Sequence, residues 1–178
     1  MSKKIKIITD CSNFSKDSIE NLILNSSIRY LRDTGTLGLF MMTLTRESCS
    51  IPMRKLEHFV MKYSKINNIN YLLVDPANPH KAKKYYVYEE YRKKISDYKK
   101  KNFCFFRRDE QNKVDVTAIM GDKKITFSTT PGQANLYSWL VQDRVIDYVV
   151  DNYEAIFGTS PSAEVLDFKK HLEKSKIR

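Results

Sequence analysis

The sequence predicts an α+β fold: several amphipathic helices around a small mixed or antiparallel sheet, in a single domain spanning residues 1–178. Three observations point to it. Hydrophobic residues make up 42% and charged residues 29% of the 178, enough to bury a core and far from the composition of disorder. Val114 to Met120 alternates apolar and polar residues and meets Lys123 to Ser128 across Gly121 and Asp122, the two-residue connection of a tight hairpin near 114–128. Most other apolar residues recur at helical spacing behind Ser, Thr, Asp or Pro.

Taken in order, Lys4 to Thr9 forms a short strand, and Asp17 three residues before Glu20 resembles a capping box. Ile19, Leu22, Ile23 and Ile28 follow at helical spacing. Gly35 and Gly38 precede the short apolar run Leu39, Phe40, Met41, Met42 and Leu44, which reads as a buried strand. Ser50 and Pro52 open a helix with Met53, Leu56, Phe59, Val60 and Tyr63 on one face, ended by Asn67 and Asn68. Tyr71 to Val74 is a strand that leaves into a turn at Asp75, Pro76, Asn78 and Pro79, and any subdivision of the domain falls near 76–80. A basic helix begins at Lys81. After the hairpin, Thr130, Pro131 and Gln133 supply an N-cap, an N1 proline and an N3 partner for a helix carrying Leu136, Trp139 and Leu140. That helix bends near Gln142 and Asp143 before Val145, Tyr148 and Val149. Gly158 stops the region, and Ser160 with Pro161 starts a last helix bearing Val165, Phe168 and Leu172.

Charge carries the functional clue. Residues 81–108 hold eleven Lys or Arg against Glu89, Glu90 and Asp97, so +8 of the net +10 lies there, with eight of the 21 aromatic residues. Such a segment suits a polyanion: its cations displace counterions from phosphates and exposed rings stack on bases. Part of it has a plainer explanation. On a helix, Tyr85, Tyr88, Tyr91, Ile95 and Tyr98 fall within about 140°, a packing stripe, and Glu89–Lys93, Glu90–Lys94 and Asp97–Lys101 are favourable i,i+4 pairs. The ends are less easily neutralised. Lys81, Lys83 and Lys84, and Lys99, Lys100, Lys101, Arg107 and Arg108, are therefore the candidate nucleic-acid contacts. Arg92 to Lys94 with Lys99 to Lys101 also has the spacing of a nuclear import signal.

Other classes find less support. Five Gly and no Gly-rich loop leave little for a phosphate cradle. Cys11, Cys49 and Cys104 are odd in number and widely spaced, which argues against a disulfide framework or a zinc site. His58, His80 and His171 have no metal-ligand spacing, so no metal or cofactor is expected. A catalytic set can be assembled only from Cys104, His80 and Asp75, and Cys104 between Phe103 and Phe105 is more simply a buried strand residue. No apolar run spans a bilayer and the charged start lacks a signal core, which predicts an intracellular protein with no membrane span.

Two strings, KKKNFCFFRR (99–108) and GQANLYSWLVQDRVIDYV (132–149), are similar to segments in short uncharacterised proteins of nucleocytoplasmic large DNA viruses. Gly132, Gln133, Asn135, Tyr137, Trp139, Val145, Ile146, Asp147 and Tyr148 carry the likeness, which covers about a third of the chain. It implies a virally encoded, non-enzymatic protein working in the host cytoplasm, the nucleus or the virion. From the residues themselves, Gln133 completes the cap, Asn135 faces water and Trp139 anchors the core. The acidic stretch DRVIDYVVDNYEAIF would repel DNA, which disfavours a helix-turn-helix. The expected function is binding of nucleic acid or another polyanion. The competing expectation is a virion component whose basic face meets an acidic viral or host protein.

Overall fold

The computed structural model describes residues 5–12, 14–45, 51–106 and 110–176. The elements run β1 (Lys6–Asp10), α1 (Ile19–Asp33), α2 (Leu37–Thr45), α3 (Met53–His58), α4 (Ser64–Ile66), β2 (Asn70–Asp75), β3 (Asn78–Tyr86) and α5 (Val87–Tyr98). They continue through β4 (Val114–Met120), β5 (Lys123–Thr129), α6 (Pro131–Gln142), α7 (Val145–Asp151), α8 (Tyr153–Phe157) and α9 (Ala163–Lys176). A π-helical turn, Phe59–Tyr63, joins α3 to α4 in one rod. Among the described residues the strands form two antiparallel sheets, β1-β4-β5 and the separate ribbon β2-β3. The fold is α+β.

The hairpin forms where its alternation places it, in register from Val114↔Thr129 to Met120↔Lys123, with Gly121 at φ 60° in the turn. Its inner face buries Val114, Val116, Ala118 and Phe127. Thr130 then caps α6, its hydroxyl accepting from the Gln133 N–H, and Pro131 stands in the first turn. Nearly every side of α6 is covered, with Ala134, Leu136, Tyr137 and Leu140 wholly inaccessible. The helix breaks after Gln142, where Arg144 takes φ 58°, and Gly158 at φ 71° ends α8.

Six sequence expectations are corrected. The run from Leu39 to Leu44 is helical, in α2, where Phe40 N–H donates to the Thr36 carbonyl at 3.1 Å. Leu and Met are strong helix formers, and Gly38 sits within the helix rather than in a turn. The N-cap of α1 is Ser18, which accepts from Asn21 N–H at 3.2 Å. The buried face of that helix is Asn21, Leu24, Ser27, Ile28 and Leu31, while Ile19 and Leu22 are exposed. Small and polar residues face inward because α1 packs on α6, where Ser138 Oγ donates to the Ser27 carbonyl at 3.3 Å. The cap of α9 is Ser162, which accepts from Val165 N–H. Residues 78–86, expected to end a turn and begin the basic helix, pair instead with β2 through a turn at Pro76 and Ala77, braced by Ala77 N–H on Asp75 Oδ1 at 2.9 Å. Finally, Cys104 lies in irregular chain, half-buried between the buried rings of Phe103 and Phe105.

The ribbon is anchored by rings. Tyr85 stacks on Tyr71 at 5.3 Å, Tyr71 on Tyr148 at 5.6 Å, and Tyr148 on Phe59 at 5.7 Å. Beneath them the Trp139 indole N–H donates to Tyr85 OH at 2.7 Å, and that hydroxyl donates to Asp143 Oδ2 at 2.6 Å. Tyr85→Phe therefore strands a buried donor and a carboxylate oxygen at once, and the loss should be about 2–3 kcal/mol. Urea unfolding followed by the fluorescence of Trp139, the one tryptophan, measures it; a loss below about 0.5 kcal/mol would show that the network carries no weight.

Candidate nucleic-acid interface

The expected contacts fall into two separate groups. Lys81, Lys83 and Lys84 are exposed on β3, where alternation sends Lys81 and Lys83 to one face and Lys84 to the other. On the inner face, Lys83 lies 3.6 Å from Glu90 and 5.4 Å above the Tyr85 ring. On the outer face, Lys84 lies opposite Leu72 and over the Tyr86 ring. Lys99, Lys100 and Lys101 are exposed beyond the C-terminus of α5. Lys101 donates to Glu20 at 2.6 Å, a bond that holds the Glu20 carboxyl below the usual carboxylate range. Arg107 and Arg108 lie outside the described residues, as does Cys49.

Both groups are pinned to α6, at its opposite ends. At the C-terminal end, Tyr71 OH donates to the Asp143 carbonyl at 2.5 Å, and Tyr85 OH to its carboxylate, fixing the base of the ribbon. At the N-terminal end, Asn135 Nδ2 donates to the Asn102 carbonyl at 2.8 Å and Gln133 Nε2 to the Phe105 carbonyl at 2.9 Å. Cys104 N–H donates to the Gly132 carbonyl at 3.2 Å. Gln133 and Asn135 are thus clamps on the chain that carries Lys99 to Lys101; Asn135 does not face water, because a half-buried amide beside an unpaired carbonyl is better bonded. Helix α5 spans the gap, and its 12 residues set the groups about 18 Å apart.

Along α5, Arg92 and Lys93 are exposed, with Glu89 and Asp97 beside them. Among the described residues, the ion pairs of the segment are Lys83–Glu90 and Lys101–Glu20, and none of the three i,i+4 pairs closes. Exposed pairs gain too little to order two long side chains, and Lys94 lies over the Tyr98 ring at 5.9 Å instead. Among the described residues, Lys81, Lys84, Lys99 and Lys100 face no carboxylate within ion-pair distance. The rings follow the packing expectation rather than the stacking one: Tyr85, Tyr91, Phe103 and Phe105 are buried, and Tyr86, Tyr88, Tyr98 and Phe106 are half-buried, so none of the eight is an open platform for bases. Tyr91 contacts Trp139, Phe103 and Phe105 at 5.9–6.0 Å, and the tyrosine stripe closes on the chain's own core.

The candidate catalytic set is divided between the two ends of α6. His80 and Asp75 lie on the ribbon beside the elbow after α6, whereas Cys104 lies against its first turn. Among the described residues, no group of three or more His, Cys, Asp or Glu side chains could hold a metal ion, and no helix is long and apolar enough to cross a membrane.

These features define an α+β protein with a strip of exposed cations at the two ends of α5 and along it, interspersed with Glu89, Glu90 and Asp97. It belongs to the family of unknown function DUF7197, whose model matches residues 2–169. It is similar to the uncharacterized protein L507 of Acanthamoeba polyphaga mimivirus, 30% identical over 127 residues that cover 71% of this chain and 48% of the relative. The match spans about half of that relative's length. This kinship bears out the resemblance of the two C-terminal strings to proteins of nucleocytoplasmic large DNA viruses. No solved structure matches the chain.

The clamp makes Gly132 indispensable. A Cβ there would lie 2.4 Å from the Lys101 carbonyl oxygen and 3.2 Å from the Lys101 and Asn102 carbonyl carbons, all backbone atoms. Gly132→Ala should cost about 2–3 kcal/mol in urea unfolding. Gly38→Ala, in a helix with nothing within 4 Å of the new methyl, should stabilise by about 0.5–1 kcal/mol. Equal effects at the two sites would refute the clamp.

Proposed function

We propose that the protein is a non-enzymatic nucleic-acid-binding protein that positions a phosphate backbone along α5 by electrostatics. Lys81, Lys83 and Lys84 hold one end of the strip and Lys99, Lys100 and Lys101 the other, with Arg92 and Lys93 between them. The observation that supports it best is that Lys81, Lys84, Lys99 and Lys100 are exposed at both ends of α5 with no carboxylate partner among the described residues. A strip of about 18 Å matches about five phosphates of one strand at roughly 3.4 Å each, which favours an extended polyanion over a single phosphate. Lysine is a point charge without the planar fork that reads base edges, so the strip positions rather than specifies. Such a protein acts on viral genomes or transcripts in the host cytoplasm or nucleus, or within the particle.

The reading is tested by fluorescence anisotropy with labelled single-stranded and duplex 20-mers across salt concentrations. About five phosphate contacts give a slope of log affinity against log salt of about −3.5 for single strands. The triple variant Lys84→Glu, Lys99→Glu, Lys100→Glu should lower its magnitude by about 2 or more. Unchanged affinity and slope would reject the proposal.

A further inference from the structure

An open cavity of about 890 Å³ lies between the inner face of the β2–β3 ribbon and the elbow joining α6 to α7. Leu73 and Pro76 line it from the ribbon, and Gln142, Asp143 and Arg144 from the elbow. Tyr30 of α1 lines it as well. Lys81 and Lys83, two of the strip's own cations, line the same cavity, which makes it continuous with one end of the strip. We infer that this cavity receives one unpaired nucleobase, and that the chain's ligand is therefore single-stranded nucleic acid whose backbone passes over Lys81 and Lys83. The inference rests on the proposed function and names the substrate class of that site.

Size, lining and backbone conformation agree. The volume falls in the range of about 300–1,000 Å³ that holds small ligands, ample for one nucleotide. The ribbon supplies apolar contact for a base face, while the elbow supplies hydrogen-bonding groups for its edge. Gln142 is exposed, and its amide both donates and accepts. One oxygen of Asp143 already accepts from Tyr85 OH; the other is left to accept from an exocyclic amine, as acidic side chains do with cytosine. The Tyr30 hydroxyl, its pKa raised first by burial and then by the Asp143 charge, stays a neutral donor. Arg144 is exposed, makes no ion pair among the described residues, and stands at φ 58°, ψ 26°, a conformation that glycine adopts without penalty and arginine does not. Its guanidinium plane suits stacking on a base and pairing with a phosphate. Two carboxylates, Asp75 and Asp143, also line the cavity, so the site is not a bare anion trap and favours a ligand that brings donors as well as charge. A paired base would have to leave its stack to enter, which disfavours duplex.

The test uses the full chain with four labelled 20-mers: a cytosine strand, a thymine strand, an abasic strand of equal charge, and a duplex. The double variant Gln142→Ala, Arg144→Gly changes two exposed residues, and glycine suits the backbone at 144. The wild type should bind the cytosine strand on the order of tenfold more tightly than the abasic strand, the gain of stacking and bonding one base. In the double variant that ratio should fall to within about twofold while salt-dependent binding of the abasic strand persists. Equal affinity for cytosine and abasic strands, or a ratio retained by the double variant, would each overturn the cavity assignment. In those cases salt-dependent binding of every strand would still uphold the strip. Salt-independent or undetectable binding of all four probes would overturn both.

Discussion

A helix covered on nearly every side must find a partner for each polar group it carries, and α6 meets that constraint by reaching out to several elements of the fold. Thr129 Oγ1 donates to Gln133 Oε1, Gln133 and Asn135 hold the chain at 102–105, Tyr137 meets Thr43 of α2 at 3.2 Å, Ser138 meets α1, and Trp139 meets β3. Each bond left unmade in the interior costs about 1–3 kcal/mol, against a total stability of about 5–15 kcal/mol for a domain. Two failures would be felt across the molecule. The apolar residues of α6 supply the burial, but its polar residues decide which elements pack where.

The C-terminal end of α6 shows the logic most clearly. A carboxylate at the end of a helix is opposed by the helix dipole, so Asp143 needs donors. Tyr85 supplies one to the side chain and Tyr71 one to the carbonyl. Burial drives both phenol pKa values far above the usual tyrosine range, with the Asp143 charge adding to it, so both remain donors at any physiological pH. Those two bonds and the stack of rings hold a two-stranded ribbon that would be marginal alone. Only its base needs anchoring. Leu72 at 70% exposure and Val74 at 45% mark how far the rest stands in solvent.

What the sequence made legible was local. The β4–β5 hairpin, the Thr130 cap, the bend after Gln142 and the stop at Gly158 each depend on a few adjacent residues whose backbone preferences agree. What it hid was non-local. Nothing within 78–86 says that Tyr85 will lie against Tyr71, and pairing with β2 overrode the local reading of a basic helix. Gln133 and Asn135 bond to carbonyls 28 and 33 positions away, so their role could not be read from a cap signature. The candidate contacts were legible as charge, but not their division between two ends of a helix, nor the turning of Lys83 and Lys84 to opposite faces. The elbow residues Gln142 and Arg144 gave no signal beyond a bend.

The abundance of rings among the cations then has a structural explanation that separates packing from binding. Concentrated positive charge repels itself, and few carboxylates lie near enough to relieve it. Aromatic faces do part of that work: Lys83 over Tyr85, Lys84 over Tyr86 and Lys94 over Tyr98 are each within 6 Å of a ring centre, contacts worth about 0.5–1 kcal/mol when exposed. Among the described residues, Lys84 and Lys94 keep their charge over a ring with no ion pair, whereas Lys83 also lies 3.6 Å from Glu90. Rings packed on the core on one side and capped by lysines on the other thus hold the fold together without neutralising the charge. Under the proposed role they would offer a base no open stacking surface, so any discrimination between bases would have to come from somewhere other than the tyrosines. Under the proposed role, the cavity lined by Gln142, Asp143 and Arg144 at the elbow of α6 would supply it.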